Sequence, residues 1–239
     1  MTTGLNDTLW FWKESKKHKT LFKIGNFWNY FKWKKTLDRS KSSLNYSLPW
    51  LNFQTISLLE KEIKPGVEVF EFGGGGSSLF FLAKGCKVTT IEHDEKWFEE
   101  IRKIIEKKSL TENWKGFLIK PETTTDNTPL DATNPHHYYT LSDEFKNFTF
   151  KNYASKIDGI KDASLDLVLV DGRSRPSCIY HSIKKIKKNG LLIIDNTERV
   201  YYSDYFLKNF SNDFELVLET YGPVPYITWF NKTTTWRKK

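Results

Sequence analysis

Cysteine is scarce in this 239-residue chain: Cys86 and Cys178 are the only two. They give no disulfide framework and no Cys-x-x-Cys metal spacing, and they read as buried thiols in a reducing compartment. Long hydrophobic runs are missing as well. None approaches the roughly 20 apolar residues needed to span a bilayer, and the N-terminus lacks the apolar core of a signal peptide, so the expected setting is cytoplasmic. What the chain does have argues against wholesale disorder: 38% hydrophobic and 16% aromatic residues are enough for a real core.

The net charge of +8 suggests an anionic partner until it is located. Residues 1–48 hold ten Lys or Arg against Asp7, Glu14 and Asp38, a net +7, which leaves +1 for residues 49–239. A basic nucleic-acid groove on the main body is therefore disfavoured. The same 48 residues carry ten aromatics, among them Trp10, Trp12, Trp28 and Trp33. On a helical projection Leu21, Ile24, Phe27, Trp28 and Phe31 share one side, while Phe22, Tyr30 and Trp33 fall elsewhere. Such a segment either docks on the domain with its lysines outward or meets an anionic membrane surface or a protein partner. Residues 1–48 are thus expected to be a basic aromatic helical extension, and 49–239 one domain.

Within that domain strands and helices alternate. Residues 52–63 read as an amphipathic helix stopped at Lys64-Pro65-Gly66. Strands are expected at 67–72, 87–91, 116–119, 165–170 and 191–194, with helices opening at Ser77 and covering 95–108, 178–188 and 199–210. Two last strands, near 214–219 and 226–236, have no helix between them and form an antiparallel pair. The pattern predicts an α/β fold: a Rossmann-like, doubly wound, mostly parallel seven-stranded sheet with an antiparallel C-terminal strand pair. Residues 121–150 are polar and long for a loop, as expected of a lid closing over a bound acceptor.

Four consecutive glycines, Gly73 to Gly76, separate the first strand from its helix. Such a run lets backbone come close to a ligand. A phosphate-cradling Gly-x-x-x-x-Gly-Lys-Ser/Thr loop is excluded, because no lysine follows until Lys84. A dinucleotide Gly-x-Gly-x-x-Gly motif is a near miss, with Ser78 at its last position. Glu71, two residues before Gly73, sits poorly beside a pyrophosphate and suits a ligand that carries positive charge. At these residues the sequence resembles class I S-adenosylmethionine (SAM) methyltransferases. Glu71-Phe-Gly73-Gly-Gly75 is similar to their acidic first motif, and Ile91-Glu92 to their ribose-binding acid. The resemblance implies a SAM site made by Glu71, Gly73, Gly74, Gly75, Ser77, Ser78, Glu92, His93 and Asp171. In it Glu71 holds the methionine end and Glu92 binds the ribose hydroxyls; His93, next to Glu92, either touches the adenine or simply packs at the surface.

Two more strand ends carry acids: Asp171, in Asp-Gly-Arg-Ser-Arg, and Asp195, followed by Asn196. In an open α/β sheet they share an edge with the glycine loop. Two carboxylates and an amide oxygen suit Mg²⁺, which would lower the pKa of an acceptor hydroxyl and orient it; the alternative is that both acids simply order turns. The set resembles that of cation-dependent O-methyltransferases, which implies Asp171, Asp195 and Asn196 as metal ligands and Asp171 and Asp195 as catalytic groups. Ser174 stands where those enzymes keep a lysine base. Arg173 and Arg175 suit a carboxylate or phosphate on the acceptor. Tyr153 and His137 are further candidates for acceptor binding, and Trp97 is expected to pack on the sheet. The Asp-Gly-Arg-x-Arg and Asp-Asn pattern also looks like methyltransferases that act on sugars. The expected function is SAM-dependent methylation of an oxygen on a sugar-containing or other small polar acceptor. The rivals are a non-catalytic SAM-fold binding subunit and a nucleic-acid methyltransferase.

Overall fold

The computed structural model describes residues 3–18, 24–38, 42–124 and 130–239. Alternation along the strands sets its architecture. In β1 (Glu68–Phe72) Val69 joins one buried cluster and Phe70 and Phe72 the opposite one; in β4 (Leu165–Val170) Leu167 and Leu169 oppose Val168 and Val170. In β5 (Ile186–Asp195) Leu191 and Ile193 likewise oppose Leu192 and Ile194. A strand that is apolar on both faces must be covered on both faces. With β2 (Lys87–Glu92), β3 (Trp114–Leu118), β6 (Phe214–Pro223) and β7 (Phe230–Lys238), these strands form one seven-stranded sheet in the order β3-β2-β1-β4-β5-β7-β6. The pairs β1–β2, β2–β3, β1–β4 and β4–β5 are parallel, whereas β7 runs antiparallel to both β5 and β6. This is the expected sheet, with β7 as its reversed strand. Strand order changes direction between β1 and β4, which opens a crevice at their carboxyl ends.

Helices follow their caps and apolar spacing. Asn52 caps α4 (Phe53–Glu62), and Asp94 caps α6 (Glu95–Lys107), whose Phe98, Ile101 and Ile105 face the core. Glycines open α5 (Gly76–Ala83), which is buried along nearly its whole length. One helix differs from expectation. Instead of 178–188, α8 spans Arg175–Ser182, and Ile186 already belongs to β5. Cys178, Ile179, Ile183 and Ile186 are all buried, so their spacing mimics a longer helix. Ile186 in fact pairs with Leu165, ahead of a register shift. The helix expected over 199–210 is a short 3₁₀ turn, Val200–Tyr202, followed by α9 (Asp204–Asn209).

The N-terminal extension packs on the sheet. It forms α1 (Thr3–Lys17), α2 (Ile24–Thr36) and α3 (Ser43–Tyr46). Phe11 and Trp33 are fully buried against each other, Phe11 also meets Phe230 and Trp33 meets Trp10, and Trp10 in turn meets Phe230, which makes one aromatic cluster. The inward side of α2 is Asn29, Trp33 and Thr36, while Trp28 and Phe31 are exposed. That reverses the expected apolar face as far as it can be followed; Leu21 and Phe22 lie outside the described residues, as do the side chains of Ile24 and Phe27. The long polar segment contains a two-residue antiparallel pairing, Glu122–Thr123 with Phe148–Thr149, and a short helix α7 (Lys151–Ser155) follows it. Among the described residues no helix is long and apolar enough to cross a membrane.

Candidate active site

The glycine loop lies at the carboxyl end of β1, and its close contacts are with the protein itself. Gly73 has φ +87°, and a Cβ there would meet the Asp171 carbonyl oxygen at 3.0 Å. At Gly76 a Cβ would sit 2.1 Å from the Leu48 carbonyl oxygen, so the chain after α3 presses on the start of α5. Beneath the loop lies Glu71, fully buried. Its carboxylate accepts hydrogen bonds from Ser77 Oγ (2.7 Å), Thr90 Oγ1 (2.7 Å) and Ser78 Oγ. Burial pushes its pKa up to about 7, against the pull of those three hydroxyls. Glu71 and Ser78 therefore do not reach the ligand-facing surface as expected. They tie the loop to β2 from below, because a buried carboxylate needs donors and these are the nearest ones.

Glu92 ends β2 and is almost wholly buried. Its Oε2 accepts from the Gly74 amide at 3.1 Å, and its Oε1 from the amides of His93 and Asp94 at 2.7 and 2.9 Å. Arg173 Nε donates to His93 Nε2 (3.3 Å), and His93 Nδ1 lies 2.7 Å from Glu92 Oε1 without hydrogen-bond geometry. The Arg173 guanidinium also stacks over Phe145, at 5.2 Å. Trp97 donates from Nε1 to the Gly74 carbonyl (2.8 Å) and so forms a wall of the site as well as packing on the core.

Asp171 and Asp195 do converge, but on Arg175. The guanidinium donates from Nε to the Gly172 carbonyl (3.1 Å), from one terminal nitrogen to Asp171 Oδ1 (2.9 Å), and from the other to the Asp195 carbonyl. That last nitrogen also lies 3.8 Å from Asp195 Oδ2. Asp195 Oδ1 accepts from Asn231 Nδ2 (2.8 Å) and Thr233 Oγ1 (2.7 Å). Burial, partly offset by Arg175, pushes the Asp171 carboxyl up to about 6, while burial and the charge of Asp171 hold Asp195 well above the usual carboxylate range. The expected Mg²⁺ site does not fit this arrangement. A cation, Arg175, already bridges the two carboxylates, which also contact each other, and Asp195 spends its oxygens on Asn231 and Thr233. Among the described residues no cluster of three His, Cys, Asp or Glu is positioned for a metal. Arg175, buried and saturated, is likewise a brace rather than an acceptor ligand.

These groups bound a cavity of about 940 Å³ at the carboxyl ends of β1, β2, β4 and β5. Of the residues singled out in the sequence, Gly73, Gly74, Gly75, Ser77, Glu92, His93, Asp171, Arg173, Arg175, Asp195 and Asn196 line it. Four expected residues do not: Glu71 and Ser78, which lie beneath the loop, and Tyr153 and His137. Tyr153 is fully buried under the Gly172 turn, where a Cβ would meet its hydroxyl at 2.0 Å. His137 accepts from the Asp131 amide (2.9 Å) and lies 3.1 Å from Asn134 Nδ2, within its own loop. Among the described residues of the polar segment, Glu144 and Phe145 reach the cavity, Phe145 beside His93. Sequence reasoning missed Trp50, Trp229 and Asn231. Asn231 is 2% exposed, and its Oδ1 is buried with no hydrogen-bond partner. Nothing in its local sequence announces this, because β7 brings it in from the far end of the chain.

No protein-family model and no curated protein matches the sequence. Solved structures do. An O-methyltransferase from Bacillus cereus in complex with S-adenosylhomocysteine (SAH) aligns with a TM-score of 0.56 at 17% identity, over 86% of this chain and 91% of that one. The O-methyltransferase TomG from Streptomyces achromogenes, in complex with SAM, gives 0.52 at 13% identity, over 77% of both chains. A putative rRNA-methylase from Clostridium thermocellum gives 0.51 at 13% identity, over 77% of this chain and 93% of that one. At these identities the likeness is one of fold: the chain has the Rossmann-like fold of class I SAM-dependent methyltransferases.

Proposed function

We propose that this protein is a SAM-dependent methyltransferase that acts on an oxygen of a sugar-containing or other small polar acceptor. One observation carries the reading. On a sheet with the methyltransferase strand order, a single cavity is bounded by the glycine loop, the Glu92 carboxylate and Asp171 together. The donors present fit the cofactor. Glu92, fixed by three backbone amides, would take the ribose hydroxyls; the backbone of Gly73 to Ser77 would take the methionine part; His93 and Phe145 would enclose the adenine. When bound, SAM supplies an electrophilic methyl group.

The chain's own task is to align an acceptor oxygen and remove its proton. Asp171 is the proton acceptor in this reading: it stands at the cavity wall, and the Arg175 guanidinium beside it favours its ionised form. Arg175 fixes its orientation, and Asp195 in turn fixes Arg175. Asn231 Oδ1, unpaired and buried at the same wall, suits an acceptor hydroxyl. No metal enters the mechanism. Calorimetric titration with SAH tests the reading. Binding at roughly micromolar affinity, weakened at least tenfold in a folded Glu92→Ala variant, is expected. Absence of SAH binding by the intact chain would overturn it.

A further inference from the structure

Concave surface continues past the main cavity. A second cavity of about 520 Å³ shares Trp50, Trp97 and Ile227 with it and extends to Asp7, Tyr226 and Thr228. Its size falls in the range of small-molecule sites, about 300–1,000 Å³. Its walls come from the N-terminal segment, from the chain around Trp50, from the turn between β6 and β7, and from Trp97 of α6, which also borders the glycine loop. The turn is held in place from α2 and from the chain after α3. Trp33 Nε1 donates to the Ile227 carbonyl (2.9 Å), the Tyr226 amide to Thr36 Oγ1 (3.4 Å), and the Tyr226 hydroxyl to the Leu48 carbonyl (2.7 Å). Tyr226 has φ +75°, a left-handed conformation that is unfavourable for a bulky residue and persists only where the surroundings impose it. The result is a fixed ring meeting Trp50 edge to face, centroids 6.0 Å apart.

The chemistry of these walls is mixed in a particular way. Aromatic Trp50, Trp97 and Tyr226 line it together with the polar Asp7, Ser43 and Thr228. At the rim Trp50 is 46% exposed and Trp229 56%. A purely apolar ligand would bury Asp7 without a partner, and an anionic one would be repelled by it. A sugar ring satisfies both kinds of wall, since its C–H face packs on indole and phenol while its hydroxyls bond to carboxylate and hydroxyl.

We propose that the second cavity is an extended acceptor subsite. It binds a neutral sugar unit adjoining the one presented to Asp171, so that the acceptor is an oligosaccharide or glycoside rather than a free monosaccharide. This deepens the methyltransferase reading and rests on it. The test applies the full-length protein, saturated with SAH, to an array of neutral mono-, di- and trisaccharide glycosides. Bound glycans are then titrated calorimetrically against the wild type, Thr228→Trp, which fills the cavity, and Asp7→Asn, which keeps its shape. SAH affinity is measured for each and is expected to be unchanged. The longer glycan should bind about tenfold more tightly than its terminal monosaccharide. Thr228→Trp should abolish that advantage and Asp7→Asn should reduce it. Equal affinity for short and long glycans, an advantage that survives both variants, or no glycan bound while SAH binds normally would overturn the subsite and leave the methyltransferase reading intact. Failure of the wild type to bind SAH would overturn that reading instead, and the same titrations without SAH would then decide the subsite by themselves.

Discussion

Glu71 and Glu92 are both acids at strand ends, and their surroundings give them different work. Glu92 stays at the cavity wall because backbone amides satisfy it. Glu71 lies under the loop, where three hydroxyls hold it and burial raises its pKa from 4.5 to about 7. The folded state therefore holds this proton more tightly than the unfolded chain does. The stability this contributes is complete below about pH 4.5 and is lost as pH rises through about 7. Asp171, raised from 3.8 to about 6, adds the same sign of dependence at lower pH. The thermal midpoint should accordingly fall by several degrees between pH 5.5 and pH 8, and Glu71→Gln should flatten the upper part of that slope. Scanning calorimetry across the pH series checks this; a midpoint that rises over the interval would contradict the assignment. The sequence did mark Glu71 as an unusual acid beside glycines. Which way it points depends on Ser77, Ser78 and Thr90, and Thr90 belongs to another strand.

At the scale of elements, the glycine run is mainly an interface between parts of the chain. Gly76 accepts the backbone after α3 so closely that even a methyl group has no room, and its partners are carbonyl oxygens rather than movable side-chain tips. Gly76→Ala should therefore cost about 2 kcal/mol or more and release the 43–48 segment, seen as faster amide exchange there in comparison with the wild type. Unchanged exchange at 43–48 would mean that this packing is not what requires the glycine. Strands were more legible than helices. Each core strand announces itself by apolar residues on alternate faces, whereas the apolar spacing of Cys178, Ile179, Ile183 and Ile186 fits one long helix as well as a short helix and a strand start. Pairing of Ile186 with Leu165 decides between them, and that pairing is a tertiary contact.

At the scale of the whole molecule, the basic aromatic extension helps to build the core. Phe11 is fully buried against Phe230 and Trp33 against Phe11, and Trp33 also fastens the turn that closes the second cavity. Truncating so large a buried ring typically costs about 3–5 kcal/mol. Trp33→Ala should lower the stability of the entire chain by that amount in urea unfolding and weaken glycan binding at the Tyr226 side with it. A loss confined to the first 48 residues, with the sheet melting as before, would show that the extension is an independent unit. The positive charge of this segment is carried on its outer surface, where Lys13, Lys16, Lys17, Lys32 and Lys35 are exposed.

The sequence by itself determined the sheet, the glycine loop at its crevice, and the acids at the ends of β1, β2, β4 and β5. Those features are local: strand alternation, glycine, and position at a strand end are read from neighbours in the chain. Only the tertiary structure decided that Arg175 takes the space between Asp171 and Asp195, that Tyr153 lies beneath the Gly172 turn, and that Asn231 and Trp229 complete the cavity. Each of these depends on segments far apart in sequence meeting at one sheet edge. Their meeting follows from β7 inserting between β5 and β6 and from the N-terminal helices closing over it, and no spacing along the chain records it.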